Sequence, residues 1–283
     1  MAKATIAIVT GSNRGIGRAI CTNIARRPAI SPPVVLYATS RGGHDLGLPP
    51  TSTAKIVYHK LDISSDQSID DLLSHIKKTH EDGEVGVLIN NAAVEYDHKM
   101  YTAQNAKKTL DVNYRGTLNV CQKLIQSGLM PSGSRIVNLS SAFGSMLSPY
   151  SSEVQRRFRS SREDMTFDQL EELARQFEKA AEEGKEKEKG FGGRMRSYGF
   201  SKACVNAATA ILAREHPDLV INCCCPGWVS TDMGNVVGRA SKSPDDGAII
   251  PVRLAFEDLG GVTGRFWAND SYNSRGAGKV QMW

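Results

Sequence analysis

No run of apolar residues approaches the length of about 20 that a bilayer-spanning helix needs, so no membrane anchor is expected. Cysteine is present but without a framework. The six cysteines form no C-x-x-C pair and no Cys/His ligand spacing: Cys223, Cys224 and Cys225 are consecutive in an apolar run, and Cys21, Cys121 and Cys204 fall in helical patterns. Neither zinc nor structural disulfides follow from such an arrangement, and a reducing, cytoplasmic setting fits it best. Charge of one sign is also lacking. The net charge is +5, and the most charged stretch, 151–193, holds eleven acidic and nine basic residues, which excludes a polycation for nucleic acid. The first strand-like run starts at Thr5, so no signal peptide is expected. No internal repeat is present.

What remains is the composition of an ordinary globular protein: 283 residues, 40% hydrophobic and 23% charged, long enough for one large α/β domain with a well-buried core. Thr5 to Val9 is short, apolar and β-branched, as in a strand covered on both faces. It runs straight into Thr10-Gly-Ser-Asn-Arg-Gly-Ile-Gly17, and an apolar-periodic helix follows through Ile20 and Ile24, closed by Pro28. Strand, glycine turn and helix in that order make a phosphate site. Gly11 permits the tight turn, Gly15 lets the backbone approach a pyrophosphate, and Gly17 allows the helix to pack close to the strand. The turn as a whole (Gly11, Asn13, Arg14, Gly15, Ile16, Gly17) is the expected dinucleotide cradle.

The second strand, Val34 to Thr39, ends in Ser40 and Arg41 rather than in the acid that usually receives ribose hydroxyls. With Arg14 in the glycine turn, two guanidinium groups suit a 2′-phosphate, so the expected cofactor is NADP(H). Ile56 to Leu61 reads as a third strand leading to Asp62 and Ile63, where an acid can bond an adenine amine. A helix over 66–80 precedes a fourth strand, Val85 to Ile89, which ends in Asn90, Asn91, Ala92 and Ala93. Small residues there leave room for a cofactor against the backbone, and the asparagines can pin the loop. A long helix is expected over 103–126, carrying Asn113 with its amide on a neighbouring carbonyl. A fifth strand, Arg135 to Leu139, delivers Ser140 and Ser141.

Tyr198 and Lys202 stand four residues apart, one turn along one helical face, a spacing that brings an ammonium near a phenol and pulls its pKa towards the working range. A sixth strand, Leu219 to Cys224, precedes Pro226-Gly227, a sharp turn where a nicotinamide amide can dock. Val229 belongs to the same segment, and Thr231 can meet the amide or a phosphate. Trp228 is either a core anchor or a ring lining the site, with Phe143, Met146 and Tyr96 as further apolar walls. Cys225 reads as a small buried residue. Ser243-Pro244 starts another helix, Pro251 should kink it, and Thr263 to Trp267 makes a last strand.

TGSNRGIG, LD at 61–62, NNAA at 90–93, VN at 112–113, VNLSS at 137–141 and YGFSK at 198–202 follow in the order of the short-chain dehydrogenase/reductase family. The chain resembles that family over essentially its whole length, and within it the monomeric carbonyl reductases, through CCPGWVSTDM at 224–233 and SPDDGAIIPV at 243–252. Ala93 departs from the family's usual glycine and could crowd the ribose. The resemblance implies a single doubly wound α/β domain of the Rossmann type over 1–283 and a catalytic set of Asn113, Ser141, Tyr198 and Lys202. Ser141 and Tyr198 would donate to the oxygen of a small-molecule carbonyl substrate as negative charge grows on it, and Tyr198 would pass it a proton. By resemblance Lys202 holds the nicotinamide ribose, and Asn113 holds a water that leads to solvent. The expected activity is NADPH-dependent reduction of a ketone, aldehyde or quinone. Alternatives are a biosynthetic reductase of one metabolite, imine or ketone, and a non-catalytic NADP-binding regulator; the presence of Ser141, Tyr198 and Lys202 speaks against the regulator.

Fifty-seven positions separate Ser141 from Tyr198, where most of the family has a short loop, so 151–193 reads as a helical insertion. Thr166 to Gln169 has the form of a capping box. Phe167, Leu170, Leu173, Ala174, Phe177 and Ala181 then recur at helical spacing, Gly184 terminates, and a soluble run follows from Lys185 to Lys189. The expected partner of the apolar face is the helix at 103–126, which relatives use to pair subunits, and its burial would leave a monomer.

Overall fold

The computed structural model describes residues 4–28, 31–48, 50–80 and 83–283. The apolar run at the amino end becomes β1 (Thr5–Thr10), buried from Ile6 onward because helices cover both faces of the sheet. The glycine turn leads into α1 (Gly15–Ala25), which ends three residues before Pro28. Then come β2 (Val34–Ser40), β3 (Ala54–Lys60), α2 (Asp66–Thr79) and β4 (Val85–Asn90), with strand limits one or two residues from those read in the sequence.

After β4 a single turn, α3 (Asp97–Met100), precedes the expected long helix. That helix is interrupted. α4 (Ala103–Leu110) passes through a π-helical turn at Asp111–Gly116 into α5 (Thr117–Gln126), and Asn113 lies in the π turn. β5 (Arg135–Leu139) follows as expected, then α6 (Ala142–Ser145), α7 (Ser152–Arg159), α8 (Phe167–Glu182), α9 (Ser197–Glu215) and β6 (Val220–Cys224). The last elements are α10 (Pro244–Phe256), which runs past Pro251, and the short strands β7 (Phe266–Ala268) and β8 (Lys279–Gln281). The expected strand at Thr263 thus begins at Phe266, because Thr263 uses its hydroxyl to accept from Ile221 N (2.9 Å).

The strands form one sheet in the order β3-β2-β1-β4-β5-β6-β7-β8, parallel except for β8. The order reverses between β1 and β4, so a crevice opens at the carboxyl ends of these strands, where a doubly wound sheet takes its ligand. α1 and α10 pack on one face with Ile20, Ile24, Ile250 and Leu254. α2, α5 and α9 cover the other with Ile69, Leu72, Leu124 and Leu212.

Segment 151–193 packs outside these layers, against α4 and α9. Thr166 and Gln169 close a capping box at the start of α8, and Leu170, Leu173, Ala174 and Phe177 are buried against Ala106, Leu110 and Tyr114 of the interrupted helix and against α9. Gly184 ends the segment in the left-handed region at φ +65°. The run from Lys185 is not wholly solvated as expected: Glu186 is buried, and its carboxylate accepts from the Tyr101 hydroxyl.

Candidate active site

The glycine turn is built for close approach. Gly11 adopts φ +66°, and a Cβ there would meet the Ala92 backbone at 2.8 Å. A Cβ on Gly17 would run into the Gly11 carbonyl and the Asn91 side chain. Asn91 Nδ2 donates to the Thr10 and Gly11 carbonyls, each at 3.0 Å, and the Thr10 hydroxyl accepts from Asn91 N and Ala92 N. The loop after β4 therefore lies directly on the turn after β1. Asn91, rather than Asn90, does the pinning there. Asn90 points into the interior and donates to Asn138 Oδ1 (2.9 Å), which places its side chain away from the crevice. Ala93 has no left-handed backbone, so the methyl in place of the family's glycine carries no conformational strain.

The segment after β6 folds over the same turn. Thr231 packs against Gly15, with a Cβ on that glycine lying 3.1 Å from Thr231 Cγ2. Arg14 pairs with Asp232 (2.5 Å), both largely exposed. Asn13 and Arg41 are exposed, Ile16 is half-buried, and Ser40 is buried at the end of β2. Arg14 and Arg41 flank the turn, but only Arg14 has an ion-pair partner among the described residues, and that partner is Asp232. At the end of β3, Asp62 accepts from Ser64 N and Oγ, which holds its carboxyl below its ordinary value with help from Arg41. Ile63 and Val229 are buried beside the crevice walls. A turn with no room for a Cβ at Gly11 or Gly17, a helix amino terminus and two exposed guanidiniums fit a phosphorylated dinucleotide.

Ser141 caps the single turn α6, its Oγ accepting from Phe143 N (3.2 Å). That turn packs directly on the Lys202 backbone at Gly144. Ser141 draws the pKa of the Tyr198 phenol down. Burial outweighs that pull and pushes the phenol up, with Cys225 and Glu95 adding to it. The net direction is therefore up, where the spacing to Lys202 alone led to an expectation of down. Lys202 Nζ donates to the Leu139 carbonyl (2.7 Å) and lies 5.8 Å from the Tyr198 ring centre. Buried itself, it is held down to about 8. Two groups dehydrated together disfavour their charged forms more than their mutual attraction favours them.

The Asn113 amide does bond a carbonyl, but across to another segment. Nδ2 donates to Val94 O (2.9 Å) and Ser201 Oγ (3.0 Å), while Oδ1 accepts from Val94 N (2.8 Å). Both amide hydrogens are used, so a water here can only donate, to the remaining lone pair of Oδ1 or to the main-chain carbonyl. Ser140 is buried, and its hydroxyl donates to the Lys202 carbonyl (3.2 Å). Cys225 Sγ accepts from Ala142 N (3.1 Å) and Gly227 N (3.4 Å), tying the Pro226-Gly227 turn to α6, and burial pushes its thiol up.

Beside Ser141 opens a cavity of about 220 Å³ lined by Ala142, Ser145, Cys225, Gly227, Tyr272 and Met282 among others. Phe143 and Met146 are exposed at this end of the molecule (53% and 51%), where apolar side chains need a reason to face water. Trp228 anchors rather than lines: its Nε1 donates to Gly234 O (2.8 Å) and its ring sits edge-on to Tyr272. Tyr96 precedes α3 and is half-buried. Tyr272 and Met282 had no signal in the sequence: Tyr272 is held by its carbonyl, which accepts from Trp228 N (2.8 Å), and Met282 follows β8, which pairs antiparallel with β7.

The sequence profile described as short chain dehydrogenase matches residues 5–153, which include the glycine turn and Ser141. The chain belongs to the short-chain dehydrogenase family. It is 35% identical over 272 residues to carbonyl reductase (NADPH) 1 of Sus scrofa, covering 92% of this chain and 91% of that one. It is 31% identical over 302 residues to short-chain dehydrogenase/reductase 1 of Saponaria officinalis, covering 95% and 96%. Among solved structures, salutaridine reductase from Papaver somniferum superposes with a TM-score of 0.80 at 27% identity, covering 94% of this chain and 99% of that one.

Proposed function

We propose that this short-chain dehydrogenase is an NADPH-dependent reductase that turns a ketone, aldehyde or quinone carbonyl into an alcohol. The observation that carries the reading is the buried Lys202 ammonium 5.8 Å from the Tyr198 ring, with the turn that Ser141 caps packed on the Lys202 backbone. The glycine turn and the crevice beside β1 and β4 would hold the dinucleotide, Arg14 and Arg41 its 2′-phosphate, and Pro226 to Thr231 its nicotinamide end. Bound there, NADPH supplies the hydride. Ser141 donates a hydrogen bond to the substrate oxygen and stabilises the charge that grows on it. Tyr198, kept protonated by burial, passes its proton to that oxygen as general acid. Lys202 provides the positive charge beneath, and the Asn113 main chain is the port through which the proton is replaced.

Tyr198→Phe keeps the ring and removes the acid. General acids contribute typically 10²–10⁴-fold, about 3–5 kcal/mol of barrier, so turnover should fall by at least about 10² while NADPH binding, followed by fluorescence titration, barely changes. Near-normal turnover in the folded variant would refute the mechanism.

The likeness to salutaridine reductase, and the 31% identity to (+)-neomenthol dehydrogenase of Arabidopsis thaliana, favour a second reading on the same chemistry, a reductase devoted to one metabolite. NADPH consumption across a carbonyl panel separates the two: comparable rates on many carbonyls support the first, one dominant substrate the second. The reading also takes the chain as a cytoplasmic monomer, supported by six buried, unpaired cysteines and by the cover that α8 lays over α4.

A further inference from the structure

Helix α9 starts without a cap of its own, since Arg196 at its N-cap makes no side-chain bond to the first turn. The first amides of a helix need acceptors, and a buried start without them is costly. The missing acceptor comes from the loop after β4. Asp97 Oδ2 accepts from Tyr198 N (2.9 Å), and Oδ1 accepts from the Ser197 hydroxyl. Both carboxylate oxygens are thus spent on the two residues that open the helix, and Asp97 is only 4% exposed. Burial raises its carboxyl and these two bonds draw it back.

The other backbone group of Tyr198 is held as well. Its carbonyl accepts from Ser201 Oγ (2.8 Å), and that hydroxyl in turn accepts from Asn113 Nδ2, whose amide grips Val94 from both sides. Val94 and Asp97 stand three residues apart in one loop. The loop therefore closes a ring around the tyrosine: Asp97 holds its N–H, and Val94, through Asn113 and Ser201, holds its carbonyl. We propose that Asp97 is a positioning residue that fixes the Tyr198 phenol against the substrate oxygen by clamping the backbone that carries it. A generic cap would have been met by a serine or aspartate next to the helix. Here it comes from 101 residues away in sequence, from the loop whose other end grips Asn113. The inference rests on the reading of Tyr198 as general acid.

The test compares Asp97→Ala, Asp97→Asn and Tyr198→Phe, each measured for kcat, NADPH Kd and the isotope effect with 4-deuterated NADPH. A shift of about 1 Å in a reacting group can cost about 10²-fold, so Asp97→Ala should lose roughly 10- to 100-fold in kcat, with a larger isotope effect and an NADPH Kd within about twofold of the parent. Asp97→Asn keeps an oxygen for Tyr198 N and can turn its amide to the Ser197 hydroxyl, so it should recover most of kcat. A folded Asp97→Ala enzyme with unchanged kcat, or an Asp97→Asn enzyme as impaired as Asp97→Ala, overturns the proposal. If Asp97→Ala does not fold, Ser197→Ala frees one carboxylate oxygen and should lower kcat with Kd unchanged; full activity there counts against the clamp. An inactive Tyr198→Phe beside an unimpaired Asp97→Ala sinks the clamp alone, whereas an active Tyr198→Phe sinks the general-acid reading with it.

Discussion

Arg41 follows β2 directly and is exposed, and its charge already reaches Asp62 just past the end of the neighbouring strand β3. An exposed guanidinium costs little to keep in water and can swing onto an incoming phosphate, which an acid at this point would repel. Arg41→Asp should therefore lower kcat/KM for NADPH at least about tenfold more than for NADH, because it replaces an attracting charge with a repelling one. Equal losses with both cofactors would remove Arg41 from the 2′-phosphate site. Lys202 sets a second expectation. Burial lowers it to about 8, so it is charged below that pH and neutral above it. The kcat/KM for reduction, which reports ionisations of the free enzyme, should fall as pH rises through about 8. This group's contribution to stability has the opposite sense. Between about 8 and the ordinary lysine range the unfolded chain binds the extra proton, so the contribution grows with pH there. A reduction profile level to pH 10 would contradict the placement of Lys202.

At the level of elements, α8 supports the helix that carries Tyr198. Phe200, between Tyr198 and Lys202 in sequence, is stacked on Phe177 of α8 at 4.3 Å and 10°. Tyr150, just before segment 151–193, and Phe158 and Phe191 within it meet Phe200 edge-on. Removing a fully buried aromatic leaves a cavity that its neighbours cannot refill, at a cost of about 3–5 kcal/mol. Phe177→Ala should lower the denaturation midpoint accordingly and reduce kcat as well, since the support of the catalytic turn loosens. Urea unfolding followed by tryptophan fluorescence measures the first effect, and a loss under about 1 kcal/mol would mean that α8 is a mere cover. The π turn at Asp111–Gly116 is the other element with a task. It widens the helix where the Asn113 amide reaches across to Val94, and π turns commonly sit at such functional points.

For the whole molecule, the question is what covers the helix at 103–126. Arg115 pairs with Asp111 (2.6 Å), Glu171 (2.9 Å) and Glu178 (2.5 Å), stitching the insertion to the π turn beside the buried Leu170 and Leu173. A three-carboxylate partnership of this kind, half out of water, gives the contact a fixed register more than it gives net stability. With the apolar faces of α4 and α8 already spent on one another, a second subunit would find only their outer, charged sides. Light scattering at micromolar concentration should return close to 30.8 kDa; a stable dimer through α4 and α5 would overturn the monomeric reading.

The glycine turn, the extents of the first four strands to within two residues, α8 with its capping box and the Tyr198-Lys202 pair were legible in the sequence because each is local. A backbone that must turn tightly selects glycine, a buried strand selects β-branched residues, and a helical face selects its spacing, all within a few neighbours. What the sequence could not carry is anything decided by where distant segments meet. Asn90 turning inward to Asn138, Asn91 gripping the glycine turn, Glu186 buried under Tyr101, and Tyr272 and Met282 meeting Cys225 and Gly227 at one cavity are all of this kind. So is the phenol of Tyr198. The spacing to Lys202 places a charge near it, but the solvent that tertiary packing takes away pushes its pKa in the opposite direction. Desolvation is a property of everything that surrounds a group, and only the folded chain determines what surrounds Tyr198.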